Sequence, residues 1–192
     1  MTTETSSLTD YKRKTSANRL GLWLFLASDL FLFAGLLVAR FYLLGTDSRP
    51  EVNQFVGLIV TFVLLISSFF MNRADTAAAY GDRKTFLNST LITMILGTIF
   101  LVGVVGVEWQ IAPFGAGDGT VGSLFYTMTG FHAFHVLTGV LFLFIIYRNG
   151  RKGLYPAGRN WPVEAAAVYW HFVDVVWIFF YPALYLIGAA LK

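Results

Sequence analysis

Leu20 to Leu44 reads LGLWLFLASDLFLFAGLLVARFYLL, a run whose only charged residues are Asp29 and Arg40. A spanning helix needs about 20 mostly apolar residues, and hydrocarbon offers no partner for a backbone N–H or C=O, so such a run must pair its backbone internally as a helix. Four more runs follow, at about 55–71, 86–107, 121–147 and 163–191. The whole chain agrees: 56% of its residues are hydrophobic, 13% are charged and its mean hydropathy is +0.64. The expected fold is an all-α membrane protein, a five-transmembrane-helix bundle spanning 20–192. A polar tail, 1–19 (MTTETSSLTDYKRKTSANR), precedes it and is expected to be mobile or surface-bound; it lacks the apolar core of a cleavable signal. No internal repeat suggests the inverted halves of a transporter.

Lys and Arg gather on alternate connections. Lys12, Arg13, Lys14 and Arg19 precede the first run, Arg73, Arg83 and Lys84 lie between the second and third, and Arg148, Arg151, Lys152 and Arg159 between the fourth and fifth. The other side has Arg40, Arg49 and Lys192. The positive-inside rule then puts the N-terminus in the cytoplasm and the C-terminus outside, in a multi-pass protein of a bacterial or archaeal plasma membrane. The pI near 9.2 is thereby a matter of topology, and no nucleic-acid partner is expected.

Ionisable groups at membrane depth are costly and ask for a reason. Asp29 lies roughly 13 Å along the first helix, either as a proton-responsive carboxyl or as a hydrogen-bonded packing residue. His132 and His135, in FHAFHVLTG (131–139), share a helix face. Glu164, His171, Asp174 and Tyr181 form a polar stripe on the last helix. Counting from each end brings His135 and Asp174 to similar depth, which predicts a contact between them. Glu108, beside Trp109, is expected at the outer interface as a helix end.

The histidines read first as fasteners between helices. Axial haem ligation needs a facing histidine, and His171 alone is available. With three histidines and no cysteine, thiolate ligation, covalent haem attachment and a binuclear copper site lose their donors. The chain is expected to bind no metal or redox cofactor and to carry no catalytic residue.

Several segments together resemble subunit III of the haem-copper respiratory oxidases in a five-helix form. They are SDLFLFAG (28–35), GDRK (81–84), 97–108, GSLFY (122–126), TGFHAFHV (129–136) and EAAAVYWHFVDVVW (164–177). The resemblance implies a non-redox subunit of a proton-pumping terminal oxidase, most simply a cytochrome c oxidase. Such a subunit packs on subunit I, which carries haems and copper, beside subunit II, small subunits or a respiratory supercomplex. It implies a role in stabilising subunit I and supporting its proton uptake, in which Asp29, Glu108, His132, His135, Glu164, His171 and Asp174 are the proton-responsive or buried polar candidates. Larger members add two N-terminal helices that enclose phospholipid, and this chain is expected to be of the form without them. Arg83, Lys84 and Arg148 are the candidate lipid-headgroup contacts, each equally readable as an ordinary positive-inside residue. Where the family often has Glu at the mid-membrane carboxyl, this chain has Asp29. Other readings are a quinol oxidase subunit III, an accessory membrane protein of a nitric oxide reductase, and, from another class, a small proton-coupled transporter.

Overall fold

The computed structural model describes residues 2–191. Five long helices dominate it: α1 (Thr2–Leu44), α2 (Gln54–Tyr80), α3 (Arg83–Ile111), α4 (Gly119–Arg151) and α5 (Trp161–Leu186). All five contain stretches long and apolar enough to cross a membrane. The fold is therefore the all-α membrane helix bundle that the hydropathy pattern called for.

The helices run further than the apolar runs do. Hydropathy marks where a chain leaves hydrocarbon, whereas capping decides where the helix stops. Thus α2 continues through the polar 72–80 until Gly81, at φ 80°, adopts the left-handed conformation and caps the Ala77 and Ala78 carbonyls. Asp82 then starts α3 by accepting from the Thr85 N–H at 3.1 Å. Hydrogen bonding from the Thr85 side chain first, and from its N–H second, holds the Asp82 carboxyl below its ordinary range. The polar segment 1–19 is helical from Thr2 and continuous with α1, with the Arg159 guanidinium 5.6 Å from the Tyr11 ring.

The last helix falls short of the expected 163–191. After Pro182 it winds into a π-helix, Pro182–Leu186. Gly188, at φ 99°, turns the chain so that Ala189–Leu191 pairs in parallel with Ser48–Pro50. This short pairing ties the α1–α2 connection to the C-terminal segment. A second π-helix, Val102–Glu108, interrupts α3.

All of Arg73, Arg83, Lys84, Arg148, Arg151, Lys152 and Arg159 lie at one end of the bundle, which is called the basic end below. The core is aromatic and centred on α5: Trp170, Trp177, Phe180, Phe100, Phe125 and Tyr185 are fully or almost fully enclosed. Glycine permits the tightest approach. A Cβ on Gly97 would stand 2.4 Å from the Trp170 ring.

Candidate functional site

The two histidines of α4 point to different neighbours. The His132 ring is wholly buried, its centroid 4.7 Å from that of Trp177 and 5.4 Å from that of Phe100. Its Nε2 lies 3.1 Å from the Val173 carbonyl, an acceptor only, so Nε2 carries the proton and donates. Nδ1 is then left with a buried lone pair. One turn along, His135 Nδ1 lies 2.7 Å from the Phe131 carbonyl and donates to it. His135 Nε2 therefore looks away from its own helix, toward α1.

There it meets Asp29, whose Oδ2 is 3.5 Å away. The expected contact with Asp174 does not form. Residue counting fixes height along a helix but not the direction a side chain faces, and Asp174 faces α2. Asp29 and His135 line a groove of about 480 Å³ between α1 and α4, with Leu22, Phe25, Phe134 and Tyr169. Asp29 Oδ2 has no hydrogen-bond partner within the chain, so the His135 contact is its one polar approach to the bundle.

A second set of polar groups lies where α2 and α5 run antiparallel. Trp177 Nε1 donates to Thr61 Oγ1 at 2.9 Å and Trp170 Nε1 to Ser67 Oγ at 3.0 Å. Ser68 faces Asp174 without a formed hydrogen bond. Asp75 interacts electrostatically with His171 and Glu164, and Glu164 accepts from Arg19 of α1 at 2.7 and 2.9 Å. Along α5, Glu164, His171 and Asp174 meet Arg19 of α1 and Asp75 and Ser68 of α2. Tyr181 departs from the expected stripe, stacking instead on Tyr185 with ring centroids 5.0 Å apart.

Glu108 differs from its expected place at the interface. It is 1% exposed, and its Oε2 accepts from the Tyr185 hydroxyl at 2.6 Å. The π-helical turn is the physical reason. An extra residue in the winding advances everything after it by about one residue's step, roughly 100°, turning Glu108 inward. Tyr185 belongs to the other π-helix, so one hydrogen bond joins the two irregular turns at the end remote from the basic one.

Sequence reasoning missed Arg40, which it counted only among the cations of the side opposite the basic connections. Its side chain is fully buried and donates to the carbonyls of Ala183 (2.6 Å), Gly45 (2.5 Å), Ser48 (2.7 Å) and Ile187 (3.0 Å). These carbonyls close the ends of α1 and α5 or leave them, where the helix dipoles are negative. The signal was present in the spacing: Leu26, Phe33 and Arg40, seven apart, are the buried residues of α1 within its span.

Arg83, Lys84 and Arg148 are all exposed at the basic end. Arg83 donates to the Arg151 carbonyl. Arg148, with Arg151, Lys152, Phe144 and Tyr147, lines a surface depression of about 350 Å³. Among the described residues no three His, Asp or Glu side chains converge as a metal site. The polar groups described above lie between helices, as hydrogen-bonding and proton-holding groups.

Comparison with known proteins agrees with the motifs. Residues 4–189 match the family model for cytochrome c oxidase subunit III. The chain is 37% identical over 174 residues to cytochrome c oxidase subunit 3 of Thermostichus vulcanus, covering 88% of this chain and 86% of that one. It is 37% identical to that of Dasypus novemcinctus and 36% to that of Bos taurus, each over 184 residues, 89% of this chain and 70% of the relative. The chain belongs to the cytochrome c oxidase subunit III family and is a multi-pass membrane subunit of a haem-copper oxidase complex.

Proposed function

We propose, from that membership, that this subunit works by packing: it braces subunit I and keeps the proton entry to subunit I in working geometry, without a redox step of its own. The observation that carries the reading is the direction of its buried polar groups. His132, His135, Glu108, Glu164 and Arg40 each engage a neighbouring helix or the carbonyls that end one, which is what fastening requires. Asp29, His171 and Asp174 add proton-holding groups between helices. By the positive-inside rule the basic end faces the cytoplasm of a bacterial or archaeal cell. The electron donor is cytochrome c, as the relatives' names have it, with quinol the alternative. Arg148, Arg151 and Lys152 suit the headgroup of an anionic phospholipid. Subunits I and II are the expected neighbours.

Mild-detergent purification through this chain tests the reading. It should bring down haem-bearing subunits, and the spectrum of the complex identifies the oxidase class; a colourless chain alone would defeat it. In the assembled oxidase, His135→Ala should weaken retention of this subunit and make oxygen consumption decline during sustained turnover, while Asp29→Asn leaves the initial rate nearly unchanged. An immediate large loss in Asp29→Asn would mean that a proton step, not packing, dominates.

A further inference from the structure

Three buried oxygens lie along the α2–α5 interface with no hydrogen-bond partner: Ser68 Oγ, Asp75 Oδ1 and Asp174 Oδ1. Asp174 is itself only 7% exposed. A polar oxygen sealed from solvent is costly unless something bonds to it, and three in one interface are hard to accept as a coincidence of packing. Their order along the helices is informative. Measured from the basic end at 1.5 Å per residue, Glu164 is about 5 Å deep, Asp75 about 8 Å, His171 about 15 Å, and Ser68 with Asp174 about 18–20 Å.

Each group interacts with the next. Asp75 interacts with Glu164 and His171, His171 with Asp75 and Asp174, and Asp174 with His171 and Ser68. No direct hydrogen bond satisfies Ser68 Oγ, Asp75 Oδ1 or Asp174 Oδ1, and water can bridge polar groups that do not meet directly. Past Asp174 the series stops. Trp177, 1% exposed, fills the interface and is bonded to Thr61. Trp170, bonded to Ser67, forms the wall.

We propose that α2 and α5 enclose a hydrated proton-binding site that opens at the basic end and closes at Asp174, with Asp75 as its entrance and water and protons as its ligands. Asp75, His171 and Asp174 have a combined charge of −2 when all are deprotonated and become neutral with two protons among them. At the mouth, Arg19 is engaged with Glu164, and Arg73 stands two residues from Asp75 on the same helix. From α3 the uncharged Thr93 reaches α2 at the Ser67 carbonyl, and on the α4 side His132 is occupied by the Val173 carbonyl. Because the site has one opening, a proton leaves by the way it entered: the site stores protons and does not carry them across. This holds whether or not the subunit supports proton uptake by subunit I.

Infrared difference spectroscopy of the purified complex, between two pH values and between water and D₂O, tests the site without reference to oxygen consumption. A carboxyl C=O band should shift in D₂O within the mixing time and disappear in Asp174→Asn. Asp75→Asn should keep that band but slow its isotope shift by about tenfold or more, since exchange reports access. A band that does not exchange in the native complex, survives in Asp174→Asn, or exchanges equally fast in Asp75→Asn would overturn the proposal. Should Asp174→Asn fail to assemble, the native and Asp75→Asn exchange rates still decide.

Discussion

Helices α1 and α5 are both long and apolar, yet they are held in opposite ways. In the most apolar stretch of α1 11% of residues are buried, against 56% in α5. The last helix is fixed by packing: Trp170, Val173, Trp177 and Phe180 are enclosed on several sides. Within its span the first buries only Leu26, Phe33 and Arg40, with Leu22, Leu36, Leu37 and Leu44 partly buried beside them, an apolar groove of about 530 Å³ between it and α5 and the Asp29–His135 groove on its other flank. What attaches it is polar and spread over three depths: Arg19–Glu164 at the basic end, Asp29–His135 midway, and Arg40 on the terminal carbonyls at the far end. Lipid tails are as apolar as leucine, so apolar contact alone gives a peripheral helix little reason to prefer protein to lipid, and polar contacts supply the difference.

That contrast can be broken from either side. Trp170→Ala removes the side chain that packs on Gly97 and Gly139 and should cost about 3–5 kcal/mol, enough that thermal unfolding in detergent shows loss of the whole subunit. Arg40→Met keeps the volume but leaves four inward carbonyls without their donor, a loss on the order of 3 kcal/mol. Its effect should be local: limited proteolysis would cut the α1–α2 connection sooner while α2 to α5 stay resistant, and uniform loosening would count against α1 as a separately fastened strut. Arg19→Ala should do least. Both partners are partly open to solvent (53% and 33% exposed), so about 0–1 kcal/mol is expected, and added salt should shrink the difference between variant and native protein.

The Asp29–His135 contact explains why the interior was only half legible. Both residues were recognisable as polar groups at depth, and each did find a helix partner. Their pairing was not recognisable, because similar height is shared by many residues on four neighbouring helices, and direction depends on how those helices are rotated. Glu108 was misread for a related reason: the π-turn at Val102–Glu108 shifts the angular register, and nothing in VGVVGVE announces it. Arg40 was overlooked because a cation near the end of a span counts toward the charge of that side, and its burial depends on which carbonyls the folded helix ends bring to it.

Hydropathy and composition sufficed for five membrane helices, and the motif runs sufficed for the family, since both are properties of residues in order along the chain. The partners of Asp29, Arg40, Glu108 and Asp174 were decided only in three dimensions. A buried polar atom takes whichever group the packed helices bring within about 3 Å, and that depends on rotation, winding and the ends of helices distant in sequence.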